Sequence, residues 1–165
     1  MKSRVMILFV ALLLLLSACA SNTPNTPQIS VEDPWVRAAV AMAADSSQGG
    51  MSSDSGSMQM GGATSAVYMI IRNTGRQPDR LLTVKTDAAQ AAETHITETK
   101  DGITVMSKVD GFDIPAQGQT VLEPGGKHIM LVNLNQDLKE GENLNLTLVF
   151  EKSGEIKVTV PVRNP

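Results

Sequence analysis

From Ile29 onward the apolar positions recur mostly at every second residue, the period of a β-strand whose side chains alternate between two faces. The segments ISVEDPWVRA, TSAVYMIIRN, DRLLTVKT, AETHITET, ITVMSKV, QTVLEP, KHIMLVNL, ENLNLTLVFE and EIKVTVPV all read as strands. Turn signals punctuate them: Asn73-Thr74-Gly75, Asp101-Gly102, Pro124-Gly125-Gly126, Glu140-Gly141 and Ser153-Gly154. With no convincing long amphipathic helix, the pattern predicts an all-β domain, an antiparallel sandwich or barrel, over residues 29–165.

Two stretches break this rhythm. The first, MKSRVMILFVALLLLLSACA, has a basic start at Lys2 and Arg4 and then an apolar run ending in small residues, the layout of a secretory signal. Its end, Leu16-Ser17-Ala18-Cys19, resembles a bacterial lipoprotein signal: cleavage before Cys19 would leave an acylated cysteine at the N-terminus. Residues 1–18 are then the signal and residues 19–28, rich in Ser, Thr, Asn and Pro, a flexible tether. This gives an extracytoplasmic address, periplasm or cell surface, with a lipid anchor in a membrane. The second stretch, residues 39–63, is built of Gly, Ser, Ala and Met and offers little to bury. Its Met42, Met51, Met58 and Met60 are either incidental or an auxiliary set of thioether donors for a soft metal ion.

Composition narrows the function. Cys19 is the only cysteine, so the mature domain can hold no disulfide, no thiolate zinc cluster and no cysteine nucleophile. Removal of Lys2 and Arg4 leaves 14 − 2 = 12 basic against 17 acidic side chains, about −5 with histidine neutral. An acidic chain with one Trp, one Tyr and three Phe lacks both the basic stripe and the stacking platform of a nucleic-acid binder. No Ser/His/Asp or paired-carboxylate arrangement supports a hydrolase, and the expectation is that the protein is not an enzyme.

The remaining chemistry sits on two histidines. If Asp101-Gly102 forms a type I′ turn, opposed residues of the hairpin sum to 203, which sets Met106 across from Thr97 and makes it a diagonal, same-face neighbour of His95. His128 and Met130, two apart on another strand, share a face as well. Two such pairs meeting would form a His₂Met₂ site. Thioether is neutral and soft, and with imidazole and no anionic donor it favours Cu(I) over Cu(II) and zinc. Taken one at a time, each histidine is also readable as a hydrogen-bonded, half-buried residue and each methionine as core filler, so the residues alone leave both readings open. Trp35, Pro34 and Arg37 read as structural: an aromatic plug at one end of the sandwich, a bulge or edge proline, and a partner for a carboxylate. Tyr68 and Met69 read as core.

The order His95, ten residues, Met106, twenty-one residues, His128, one residue, Met130 resembles the His-x10-Met-x21-His-x-Met motif of the PCuAC family, extracytoplasmic copper chaperones of cupredoxin-like β-fold. Segments 33–38, 66–75, 79–82, 111–134 and 138–162 resemble that family too. The resemblance implies His95, Met106, His128 and Met130 as Cu(I) ligands. It also implies delivery of copper to the CuA-bearing subunit of cytochrome c oxidase, or to a thiol-containing partner chaperone. Passive copper storage is the alternative. Two departures stand out: residues 39–63 are longer than the connection expected there, and no Met/His-rich C-terminal tail follows.

Overall fold

The computed structural model describes residues 25–41 and 62–164, so Cys19, Met42, Met51, Met58 and Met60 lie outside the described residues. Ten strands follow one another: β1 (Ile29–Arg37), β2 (Ser65–Asn73), β3 (Asp79–Lys85), β4 (Ala89–Lys100), β5 (Ile103–Lys108), β6 (Phe112–Ile114), β7 (Gly118–Leu122), β8 (Lys127–Leu134), β9 (Asn143–Phe150) and β10 (Gly154–Arg163). The expected strands are all present. The addition is β6, whose three residues are too short for a period to show.

The hydrogen-bonded order is β5-β4-β8-β2-β1-β10-β9-β3-β6, with β7 also paired to β2. Every pairing is antiparallel except β1 with β10, which run parallel at Val36↔Val162 and Arg37↔Arg163. The expected antiparallel architecture therefore has one parallel seam, where the first and last strands join the two halves of the sandwich. Alternation along the strands sends Val67, Met69 and Ile71 of β2 and Ile129 and Leu131 of β8 into one buried cluster with Leu144, Leu146, Leu148 and Phe150 of β9 and Val160 and Val162 of β10. Each such side chain contributes about 1.5–3 kcal/mol relative to exposure.

A bulge in β1 corrects the expectation for Trp35. The register shifts between Glu32 and Trp35, with Asp33 at φ 42°. Before the shift Val31 opposes Ile71; after it Val36 opposes Val67 and Trp35 opposes Tyr68. One extra residue thus moves Trp35 from the core face, where simple alternation puts it, to the outer face. Pro34 sits at that bulge, as expected. Met69 is core, but its neighbour Tyr68 faces the other way and is buried against Trp35, with ring centroids 4.5 Å apart. Among the described residues Arg37 makes no ion pair; Asp33 is held instead by Arg163 at 2.9 Å.

The turn between β9 and β10 is fastened by one carboxylate. Asp79, 4% exposed, accepts from the backbone N–H groups of Arg80, Lys152 and Ser153 and from the Ser153 hydroxyl. Burial pushes its carboxyl pKa up, but the hydrogen bonds, that of Ser153 foremost, outweigh burial and hold it below its ordinary value. A folded-state pKa below the unfolded one means stabilisation that is full above the unfolded value and is lost as pH falls through the folded one. Asp79→Ala should therefore destabilise the domain by about 1–3 kcal/mol near neutrality. Denaturant titrations should show that difference shrinking in the acid range, and an equal penalty at acid and neutral pH would refute this role.

Candidate metal centre

Three strands carry the four candidate ligands, and their pairing decides whether the side chains meet. The hairpin of β4 and β5 turns at Asp101 (φ 53°) and Gly102 (φ 77°), both in the left-handed region that a type I′ turn requires. Its register places Thr97 opposite Met106 and Lys108 opposite His95, as the turn predicts. On its other side β4 pairs with β8 so that His95 lies directly across from His128, and Glu93 across from Met130. All four candidates thus share the outer face of the sheet, because Thr94 opposes Ile129 and Ala92 opposes Leu131 on the core face.

The two imidazole centroids are 5.8 Å apart and the rings are tilted by 39°. His128, Met130 and Met106 line an open groove of about 350 Å³, together with Tyr68, Arg37 and the Pro124-Gly125 turn. His95, its side chain 15% exposed, does not line that groove and adjoins it through His128. A larger concavity, about 470 Å³, lies on the opposite sheet among Lys85, Asn145 and Thr159, and no histidine or methionine lines it. Size does not find this site; donor chemistry does.

Hydrogen bonding differs between the rings. His128 is 3% exposed, and its Nδ1–H donates to the Gly126 carbonyl at 3.1 Å, which in the neutral ring puts the lone pair on Nε2. That same carbonyl accepts from the Thr97 N–H at 3.0 Å, so the Gly125-Gly126 turn ties β8 to the base of the hairpin. His95 Nε2 lies 3.0 Å from Glu93 Oε2, while His95 Nδ1 is buried with no hydrogen-bond partner. A buried acceptor without a partner is costly unless something fills the role, and a metal ion would. Glu93 was not singled out from the sequence, although its spacing of two from His95 puts both on one face. Hydrogen bonds from Lys108, then from His95, hold its carboxyl pKa below the ordinary value, so it is an anion beside the site.

Among the described residues no three His, Cys, Asp or Glu side chains are placed to hold a metal. The further soft donors on this face are the thioethers of Met106 and Met130, and imidazole with thioether is a donor set that suits a soft monovalent ion better than zinc. Trp35, Tyr68 and His128 form a row leading to that pair, with Tyr68 and His128 centroids 6.4 Å apart. The aromatic pair read from sequence as plug and core is the wall beside the candidate ligands.

A family model described as "Putative lipoprotein LpqE-like" matches residues 29–162. The chain belongs to that LpqE-like family. A relative from Leifsonia xyli subsp. xyli, "Putative lipoprotein Lxx21020", is 30% identical over 93% of this chain and 86% of its own length. Among solved structures, the LpqE-like domain superposes on a copper-bound PCuAC domain from PmoF2 at TM-score 0.59 and 25% identity, covering 85% of this chain and 96% of that one. An apo PCuAC domain from PmoF1 gives TM-score 0.59 at 26% identity, over 86% of this chain and 98% of that one. The CuI-DR1885 structure from Deinococcus radiodurans, at 23% identity and TM-score 0.54 over 90% of this chain and 85% of that one, shares the fold. The fold of this LpqE-like chain is that of a PCuAC domain, all-β and cupredoxin-like.

The hydrogen bond from His128 to Gly126 fixes a tautomer. Long-range ¹H–¹⁵N NMR of the apo chain should find the His128 proton on Nδ1 and a bare Nε2. A proton on Nε2 would contradict the geometry that makes this ring a ready donor.

Proposed function

We propose that this LpqE-like protein is an extracytoplasmic copper chaperone that carries Cu(I) on His95, Met106, His128 and Met130 and passes it to an acceptor. The observation that carries this reading is the direct His95/His128 pair with Met106 and Met130 on the same face. Support also comes from the copper-bound PCuAC domain among its structural neighbours. Imidazole and thioether are neutral, so nothing in the ligand set offsets the larger charge of Cu(II), and the monovalent ion is favoured. Met106 is 52% exposed on an edge strand, whereas His128 is buried. An incoming thiolate would displace that accessible thioether first, and the ion would leave step by step rather than as a bare cation. On this reading the acceptor is a CuA-bearing oxidase subunit or a thiol-containing chaperone. Storage without directed transfer is the competing reading, and an apo acceptor that never gains copper from the loaded chain would favour it.

Met106→Leu and Met130→Leu are close in volume and should leave the fold intact. Competition titration with a Cu(I) chelator should show each variant binding at least about tenfold more weakly, the loss expected when about 1.4 kcal/mol of ligation is removed. Wild-type affinity in both variants would remove the site.

The address is also a proposal: Cys19, acylated after signal cleavage, would hold the domain at a membrane, in keeping with the lipoprotein description of the family. Cys19→Ser should then shift the protein from the membrane fraction to the soluble one with copper binding unchanged, and unchanged fractionation would refute the anchor. Met42, Met51, Met58 and Met60 would supply a weaker, auxiliary thioether site. The chain leaves β1 past Arg37 and returns at Thr64, and both of those residues line the groove.

A further inference from the structure

Glu93 makes two contacts at once. Its Oε1 accepts from Lys108 Nζ at 2.7 Å and its Oε2 faces His95 Nε2 at 3.0 Å. Lys108 opposes His95 across the β4–β5 ladder, and Met130 opposes Glu93 across the β4–β8 ladder. One carboxylate therefore stands among all three ligand-bearing strands. An ionised carboxylate can only accept, so the atom facing Oε2 must carry a hydrogen. In the neutral ring that places the His95 proton on Nε2 and leaves Nδ1, the buried ring atom that has no partner, with the lone pair. His128 has the opposite arrangement, its proton on Nδ1 toward Gly126 and its lone pair on Nε2. A carboxylate or carbonyl behind a ligating imidazole fixes its orientation and raises its basicity.

We propose that Glu93 is a positioning residue for copper: anchored by Lys108, it holds the proton on His95 Nε2 and leaves Nδ1 as the donor, so that the two imidazoles ligate through different ring nitrogens. This rests on the copper reading above and deepens it. Ligation through Nδ1 sets the ion closer to the β4 backbone than ligation through Nε2 would, because Nδ1 is the ring nitrogen nearer Cβ. Attached to β8 through Nε2, the second imidazole reaches further. With a short reach from β4 and a longer one from β8, a bound ion would sit nearer β4 and the hairpin that carries Met106.

The test is long-range ¹H–¹⁵N NMR of the mature chain before and after addition of Cu(I), with chelator competition on Glu93→Leu and Glu93→Gln. In the apo wild type His95 should carry its proton on Nε2, and Cu(I) should move the Nδ1 resonance of His95 and the Nε2 resonance of His128. Glu93→Leu should mix the His95 tautomers, leave that of His128 unchanged, and weaken Cu(I) binding by about ten- to a hundredfold. Glu93→Gln, which keeps a neutral acceptor, should recover part of that loss. A His95 proton on Nδ1, a Cu(I) shift at His95 Nε2, or wild-type affinity in Glu93→Leu would each overturn the inference. If Met106→Leu and Met130→Leu also bind as the wild type does, the copper site falls with it; if they bind weakly, only the role of Glu93 is lost.

Discussion

The pairing of β4 with β8 is the constraint on which the candidate centre depends. Side chains in a strand alternate with period two, so a slip of one residue would turn His128 and Met130 into the core and expose Ile129 and Leu131. Those two apolar side chains are fully buried, and exposing them would cost about 1.5–3 kcal/mol each, before the loss of the hydrogen bond that the already buried His128 ring makes to Gly126. The core therefore enforces the register, and the register sets His95 across from His128. The candidate ligands on β4 and β8 need no stabilising interaction of their own to be held in place.

Met106 is placed by a different means. All six residues of β5 are exposed, so burial does not choose its register. The Asp101-Gly102 turn does, because two successive left-handed residues close a two-residue hairpin in one register only. On the copper reading proposed above, imidazoles on a core-locked strand pair and a thioether on a solvent-exposed edge would divide the work: one part would hold the ion, the other give access to it. That division suits a carrier, which must bind tightly enough to load and expose enough of the ion to unload.

How much of this could be read in advance follows from the same physics. The strand at 127–134 shows its alternation openly, and the hairpin register follows from Asp101-Gly102, so both same-face pairs are visible in the sequence. Their meeting is not, because β4 and β8 are joined by a long connection with no local signal of its pairing; only the resemblance to the PCuAC motif implied that link. Trp35, read as a plug at one end of the sandwich, instead packs on Tyr68 on the outer face, because the bulge at Asp33-Pro34 inverts the alternation after it. Tyr68 and Met69 could not both face the core, since neighbours in a strand point apart. Glu93 was legible in principle: it stands two residues before His95, and the hairpin sum that pairs Thr97 with Met106 also sets Lys108 opposite His95.

The central claim is that two imidazoles and two thioethers from β4, β5 and β8 hold one soft ion. X-ray absorption at the copper edge of the Cu(I)-loaded mature chain counts those neighbours directly. The account predicts two sulfur and two nitrogen neighbours, with the sulfur contribution lost when Met106 and Met130 are both replaced by leucine. A first shell of nitrogen and oxygen alone, or a sulfur count that survives the double replacement, would contradict it.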